Sequence, residues 1–265
     1  MLDWLKRKLT GANPRASGNA DAIPEAMWSS TMQQFPFLAR RSIAEQSHLR
    51  EMTAEFLRKK QFAGAHGLKV TDDMAVAIAA QACLPVLHLG LKFYDDFQGI
   101  VVHPGAMLAR REVTDDNGVV HRYSEELTGE AMERGPITLS WQDVAAAGVT
   151  ASDGYNVVIH EFIHKIDMRD GYADGCPPML SRRAKTAWDD VFQPAYDVFC
   201  EKVAMADRFG GPPTWLDAYG ATAPAEFFAV ACEGYFVNRE RFTQDFSSLT
   251  VLFDQFFKTN QALAQ

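Results

Sequence analysis

Apolar residues recur with helical spacing along most of the chain, and polar residues fill the positions between them. Repeats every three or four residues predict amphipathic helices, which clusters of Gly, Pro and Asn separate. The predicted helical segments are 26–67 with a break at Phe35-Pro36-Phe37, 74–84, 181–208 with a bend at Pro194, 225–236 after Pro224, and 238–258. The pattern therefore indicates a mostly helical protein.

Three shorter stretches carry the signals of strands rather than of helices. Gly99–His103 is largely apolar and precedes a Pro-Gly turn, which is typical of a buried strand. Asp116-Asn117-Gly118 is a strong hairpin signal. Residues 135–141 predict another strand, and a short helix is expected at 142–147. A small sheet among many helices predicts an α+β fold.

One further apolar helix, expected within residues 157–167, contains the sequence His160-Glu161-Phe162-Ile163-His164. Residues four apart lie on one face of a helix, so both imidazoles can reach one metal ion. Glu161 points beside that ion and suits a general base that takes a proton from a water molecule. Ser152 or Asp153 is the expected N-cap. In a chain with 7 histidines, chance placement would produce this pattern about 0.01 times, which favours a metal site.

The residues leave the third metal ligand open among three acids. Asp170 stands where a His-Glu-x-x-His-x-x-Gly-x-x-His/Asp pattern places its last ligand, but Asp167 occupies the glycine position of that pattern. If the helix continues through Asp167, Asp170 is out of reach, and Asp167 becomes a partner for an imidazole. Glu226 and Glu233 lie seven apart on one predicted helix and share a face. One of them can therefore be a metal ligand, and the other can accept a hydrogen bond from a ligand.

Composition and charge narrow the classes of function. The chain has 265 residues, of which 47% are hydrophobic and 23% charged, as in ordinary globular proteins. Its net charge of -8 argues against nucleic acid as a direct ligand. The four cysteines form no C-x-x-C pair, so a thiolate zinc site is not expected, and reduced thiols predict a cytoplasmic protein. The uncharged stretch 74–91 is broken by Pro85, so no membrane span is predicted.

We expect one domain, residues 23–258, between two flexible ends. Residues 1–9 are expected to be a short amphipathic piece, and residues 10–24 are rich in Gly, Ala, Asn, Ser and Pro, which is typical of a linker. The predicted N-terminal segment is therefore 1–22, and the C-terminal tail is 259–265.

Four sets of residues occur together along the chain: Leu84-Pro85-Val86-Leu87 with Leu89-Gly90-Leu91, Gly135-Pro136-Ile137 with Leu139 and Trp141, His160-Glu161-x-x-His164-Lys165-x-Asp167, and Asp217-Ala218-Tyr219 followed by Pro224-Ala225-Glu226. In this combination they resemble the Mlc titration factor A family of zinc metallopeptidases, over roughly residues 22–258. The family is similar in its catalytic core to the protease domain of anthrax lethal factor. The resemblance implies a zincin-like core, with a small sheet and the metal-binding helix.

The resemblance also implies roles for individual residues. The implied ligands of one Zn²⁺ ion are His160, His164 and Glu226. Glu161 becomes the general base, and Tyr219 becomes the candidate donor to the oxyanion. Aminopeptidase-like activity on short peptides and binding of an Mlc-type glucose repressor follow from the family, and the strand at 138–141 is expected to be an edge strand that holds an extended peptide.

Two other functions remain open at this stage. The first is a binding module that sequesters a repressor and in which zinc hydrolysis is secondary. The second is a zinc hydrolase that acts on non-peptide amides. Glu161 favours a catalytic metal site over a purely structural one. A structural site is usually closed by four His or Cys ligands and does not need a carboxylate base.

Overall fold

Helices make up most of the part of the chain that the computed structural model describes, which comprises residues 22–114, 120–132 and 135–258. In chain order they are α1 (Glu25–Gln34), α2 (Pro36–Ala39), α3 (Ile43–Lys59), α4 (Asp72–Cys83), α5 (Trp141–Thr150), α6 (Val157–Asp167), α7 (Arg182–Phe209), α8 (Pro224–Val237), α9 (Arg239–Asp245) and α10 (Ser247–Lys258). None of these described helices is long and apolar enough to cross a membrane. Apart from residue 22, the predicted flexible ends lie outside the described residues.

Two small sheets accompany the helices, so the fold is α+β. The strands are β1 (Gln61–Gly64), β2 (Gly99–His103), β3 (Met107–Thr114), β4 (Val120–Leu127), β5 (Gly129–Ala131) and β6 (Ile137–Ser140). Four of them form a mixed sheet in the order β1-β2-β6-β5, in which β5 alone runs antiparallel to its neighbour. The other two pair antiparallel as the predicted hairpin, whose Asp116-Asn117-Gly118 turn lies outside the described residues.

The sheet order corrects one prediction from the sequence. The strand at 138–141 was expected at the edge of the sheet, but β6 pairs with β2 on one side and with β5 on the other. Among the described residues, β5 stands at the end of the sheet, beyond β6. It is only three residues long, which is too short for an alternating pattern of apolar and polar residues to identify it as a strand.

Two helical predictions also need correction. Residues 61–64 lie within the stretch predicted as helical, but α3 ends at Lys59 and these four residues pair with β2 as β1. The predicted helix 238–258 is two helices, because Phe246, with φ −137° and ψ 55°, separates α9 from α10. The first departure depends on a partner distant in the chain, β2, which local periodicity does not report.

The start of α6 differs from the prediction as well. Asn156, rather than Ser152 or Asp153, is the N-cap, and its Oδ1 accepts a hydrogen bond from the backbone N–H of Ile159 at 2.9 Å. Residues 151–153 instead form a 3₁₀ turn, which Gly154 ends with φ 77°. A Cβ atom at Gly154 would lie 2.9 Å from the Trp215 ring, so the close packing there also requires glycine.

Aromatic packing holds α6 in the centre of the molecule. Phe162, on the apolar side of the helix, is fully buried and lies 5.0–5.9 Å, between ring centroids, from Phe56, Tyr94 and Phe97. The helix also packs against α4, α8, β5 and β6. These contacts fix which face of α6 is turned toward the core and which is left for polar residues.

Lys165 connects α6 to the segment between β5 and β6. Its side chain is fully buried, and Nζ donates to the carbonyl oxygens of Met132 and of Gly135, the latter at 3.1 Å. Nζ also lies 4.9 Å from the centroid of the Phe97 ring, a distance at which a cation is attracted to an aromatic face. The lysine therefore holds the end of β5 beside the helix that carries the two histidines.

Candidate metal centre

The two histidines of α6 and one glutamate of α8 bring three potential ligand atoms together. Nε2 of His160 and Nε2 of His164 lie 3.2 Å apart, as their four-residue spacing on one helical face predicts. Glu226 stands in the first turn of α8, two residues after Pro224, and α8 packs along α6. Its Oε2 lies 3.1 Å from the first Nε2 and 3.2 Å from the second.

These distances fit a divalent metal. A tetrahedral zinc site with bonds of ~2.0–2.1 Å separates its ligand atoms by roughly 3.3–3.4 Å, and its catalytic form has three protein ligands and one open position. The observed triangle, with edges of 3.1–3.2 Å, is close to one face of that tetrahedron. His160, His164 and Glu226 are a group that can hold a metal ion within the described part of the chain. Their roles as ligands stay predictions.

Burial and close contact shift the pKa values of all three groups. Burial opposes protonation of His160, but hydrogen bonds to Glu226 and Glu233 outweigh it and hold its pKa well above the ordinary value. Burial lowers the pKa of His164. Burial raises the pKa of Glu226, yet the two imidazoles outweigh it and hold that pKa far below its usual range. A cation placed among these groups would favour the ionised carboxylate and neutral imidazoles that metal coordination requires.

Glu161 lies beside the triangle, close to strand β5. Its side chain is 5% exposed, and a Cβ atom at Gly129 would lie 2.4 Å from its Oε1, so only glycine leaves room for this carboxylate. Burial raises the pKa of Glu161 to about 8. The nearby His160 acts in the opposite direction, but its effect is smaller. A carboxylate with a pKa near neutrality is suited to accept and return a proton.

The carboxylate behind His160 is Glu233, and this corrects the role predicted for Asp167. Oε1 of Glu233 lies 2.8 Å from Nδ1 of His160, and the side chain is 1% exposed. Asp167 is fully buried, but its Oδ2 accepts the backbone N–H of Gly175 at 2.9 Å, and its Oδ1 has no hydrogen-bond partner within the described part of the chain. Its neighbour Asp170 is exposed at the end of the helix and lies outside the metal-binding group.

Two phenols line the cleft in front of the triangle. Tyr219 sits in a 3₁₀ turn that Asp217 caps, and its ring centroid is 6.3 Å from that of His160. Tyr155, which the sequence analysis did not single out, donates its hydroxyl proton to Oγ1 of Thr128 at 2.9 Å. The only signal for Tyr155 in the sequence is its place just before α6, which by itself predicts no role.

The cleft has a volume of about 690 Å³, within the range of small-molecule and peptide sites. Its floor is made by α6 and α8, and β5 forms one wall, from which Gly129, Glu130 and Ala131 line the cleft. The described lining residues include five acids and neither Lys nor Arg. The acids are Glu130, Glu161, Asp217, Glu226 and Glu233. This surface therefore favours cationic ligands.

Comparison with known proteins identifies the family of the chain that carries this site. A sequence model of the family described as glucose-regulated metallo-peptidase M90 matches residues 9–258. The chain belongs to this family. The match begins before residue 22, where the family resemblance was expected to begin, so much of the predicted N-terminal segment is part of it.

Curated relatives of this M90 family member include several proteins named Mlc titration factor A, as the sequence resemblance predicted. The relative from Klebsiella pneumoniae subsp. pneumoniae is 33% identical over 242 residues, which cover 91% of this chain and 88% of the relative. The one from Cronobacter sakazakii is 31% identical over 244 residues, 92% and 90% of the two chains. The one from Escherichia coli O7:K1 is 32% identical over 242 residues, 91% and 88% of the two chains.

We expect Glu226→Gln to remove tightly bound zinc from this M90 family member, because a neutral amide replaces the anionic ligand between two imidazoles. Zinc affinity should fall at least roughly 100-fold. The measurement is zinc content by atomic absorption after dialysis against a weak chelator. Asp170→Asn, at the exposed end of the same helical segment, is the control and should keep its zinc. Full zinc in Glu226→Gln together with loss in Asp170→Asn would reassign the third ligand.

Proposed function

We propose that this protein is a zinc-dependent metallopeptidase with a zincin-like core and aminopeptidase-like activity on short peptides. One observation carries the proposal: the potential ligand atoms of His160, His164 and Glu226 form a triangle with edges of 3.1–3.2 Å, and the Glu161 carboxylate lies beside it in an open cleft. Membership of a metallopeptidase family supports the same conclusion.

The residues divide the chemistry among them. The two imidazoles and the Glu226 carboxylate would hold the zinc ion, which when bound supplies Lewis acidity that polarises a carbonyl group and lowers the pKa of a water molecule. Glu161 takes the proton of the attacking water and returns it to the leaving amine, which its raised pKa suits. Glu233 accepts a hydrogen bond from the Nδ1–H of His160. This bond keeps the proton on Nδ1 and leaves the lone pair of Nε2 for the ion.

Strand β5 is the element best placed to hold a peptide substrate. Its three residues line the cleft, and within the described sheet it has a neighbour only at β6. An extended peptide can add to such an edge through main-chain hydrogen bonds. The acidic lining of the cleft favours a substrate with a free ammonium group over one with a free carboxylate, which supports aminopeptidase-like cleavage.

Tyr219 is the proposed donor to the oxyanion that develops during peptide cleavage. Its side chain lines the cleft and is 43% exposed, and its ring lies 6.3 Å from that of His160. Tyr155 is the alternative phenol, and its hydroxyl donates to Thr128 at 2.9 Å. The resemblance of Asp217-Ala218-Tyr219 to the family motif favours Tyr219 as the donor that stabilises the charge developing on the carbonyl oxygen.

The decisive test is Glu161→Gln, assayed on a panel of short peptides, aminoacyl anilides and non-peptide amides. We expect turnover to fall by roughly 10²–10⁴ because the general base is lost, while zinc content and fold stay intact. Asp170→Asn serves again as the control. Equal turnover in Glu161→Gln at unchanged zinc content would refute the peptidase assignment, and activity confined to non-peptide amides would identify a different hydrolase.

Tyr219→Phe should lower kcat much more than it raises KM, since the phenol is proposed to act on the transition state rather than on the bound substrate. Steady-state kinetics on the best substrate of the panel measures both constants. Tyr155→Phe is the matched comparison, because it removes the hydroxyl of the second tyrosine among the described lining residues. A loss of kcat in the Tyr155 variant, with none in the Tyr219 variant, would transfer the role to Tyr155.

A second candidate function is binding of an Mlc-type transcriptional repressor. It rests on the name of the relatives, Mlc titration factor A, and on their coverage of about nine-tenths of this chain. Such binding requires the cytoplasmic location that the scattered cysteines predict. It is compatible with peptidase activity if the repressor meets a surface away from the cleft.

A pull-down with an Mlc-type repressor tests this second function. Glu226→Ala should bind the repressor as the unchanged chain does, because the substituted carboxylate lies in the cleft. A chain that lacks residues 1–21 shows whether that segment contributes. Loss of binding in Glu226→Ala, with an unchanged circular dichroism spectrum, would instead place the repressor at the metal centre.

A further inference from the structure

A series of buried polar side chains connects His160 to helix α4. Oε1 of Glu233 faces Nδ1 of His160 at 2.8 Å, and Oε2 of the same carboxylate accepts the backbone N–H of Asn156. Nδ2 of Asn156 donates to Oε1 of Gln81 at 2.8 Å. The side chains of Gln81, Asn156 and Glu233 are at most 1% exposed, so this network is closed to solvent.

Asn156 is the centre of this network, because each of its polar groups has a defined partner. Its Oδ1 accepts the N–H of Ile159 and its carbonyl oxygen accepts the N–H of His160, so it begins α6. Its backbone N–H and its Nδ2 are directed to Glu233 and to Gln81. One residue thus connects the first turn of the metal-binding helix to α8 and to α4.

Gln81 has no explanation in the packing of α4 alone. The ten residues from Met74 to Cys83 are all buried, and Gln81 is the one polar side chain among them. Its Nε2 donates to the carbonyl oxygen of Ala77 at 3.1 Å, and its Oε1 accepts from Asn156. A buried amide is costly where an apolar residue would fit, unless its hydrogen bonds serve another group. Here the amide holds Asn156, which in turn holds Glu233.

We propose that Gln81 and Asn156 are positioning residues of the metal centre, which hold Glu233 against Nδ1 of His160 so that Nε2 faces His164 and Glu226. A neutral imidazole has one N–H, and the partner of Nδ1 decides whether Nε2 carries the lone pair that a metal requires. This inference rests on the proposed metal centre, and it extends that centre to a helix that has no residue in the cleft.

Two substitutions separate this role from simple support of the fold. Gln81→Met removes the acceptor for Nδ2 of Asn156 at nearly constant volume. Asn156→Ser keeps an N-cap oxygen for α6 and the backbone N–H to Glu233, but its short side chain cannot reach Gln81. Each variant breaks the same link from a different side.

Two control variants match these changes in residues outside the network. Thr53, fully buried in α3, donates to the carbonyl oxygen of Leu49 at 2.7 Å, so Thr53→Val removes a similar bond four residues along a helix. Ser181 caps α7 by accepting the N–H of Ala184 at 3.1 Å, so Ser181→Ala costs a helix cap of the same kind. These two hydrogen bonds stay within their own helices and do not involve Glu233, Asn156 or Gln81.

The experiment measures zinc affinity of the full chain by competition with a chromophoric chelator, together with the visible spectrum of the cobalt-substituted protein and the melting temperature of the metal-free protein. We expect Gln81→Met and Asn156→Ser to bind zinc roughly 10–100-fold more weakly, with shifted cobalt bands. Thr53→Val and Ser181→Ala should change the affinity less than about twofold, even where the melting temperature falls.

The outcomes distinguish this inference from the proposed function. An unchanged chain that binds no zinc overturns the metal centre itself. Tight zinc binding in both network variants, with weakened binding in Glu233→Gln, overturns the positioning role and leaves the metal centre standing. Equal losses of zinc affinity in the network variants and the control variants would show that Gln81 and Asn156 only support the fold. If Gln81→Met does not fold, Asn156→Ser decides, since it keeps the cap of α6.

Discussion

The burial of polar groups on one otherwise apolar helix is the constraint on which the rest of this structure depends. His160, Glu161 and Asn156 lie on or at the start of α6, in a core that also contains Phe162. A charged group in such a place costs several kcal/mol, roughly, unless it is paired and hydrogen-bonded. The elements around α6 supply those partners: Glu226 and Glu233 come from α8, and Gln81 comes from α4. The order of packing follows from this need, because α8 must lie along the helix with its two acids turned inward.

The same constraint explains how the cleft stays open while its residues remain fixed. Lys165 on the back of α6 holds the end of β5 through two carbonyl oxygens, and Gly129 in that strand leaves room for the Glu161 carboxylate. Asp167 performs a comparable task at the last residue of the helix, where its carboxylate accepts the N–H of Gly175. Lys165 and Asp167 thus fix the surrounding backbone rather than enter the cleft. A metallopeptidase requires such rigidity, since a base displaced by about 1 Å can lose much of its effect.

Local patterns predicted the elements that depend on neighbours in the chain and missed those that depend on distant ones. The break around Pro36 and the start of α8 at Pro224 follow from the restricted backbone of proline. Pro194 lies inside α7, and the bend there stays a prediction. By contrast, β1 is four residues long and exists through pairing with β2, which is distant in the chain. Strand β5 pairs with β6, which follows it closely, and was missed because it is only three residues long. The N-cap of α6 was placed too early because residues 151–153 form a 3₁₀ turn that Gly154 ends, so the helix begins only after Asn156.

By itself, the sequence determined the α+β class, the pair of histidines with Glu161 between them, and the family to which the chain belongs, because each depends on spacing within a few turns of backbone or on identity of residues. It could also place Glu226 and Glu233 on one helical face, seven residues apart. Only the tertiary structure decided that Glu226 joins the two imidazoles, that Glu233 rather than Asp167 lies behind His160, and that β5 rather than β6 is the strand beside the cleft. Those outcomes depend on how α8 and the sheet dock onto α6, and docking is a property of surfaces that meet across the core rather than of any segment alone.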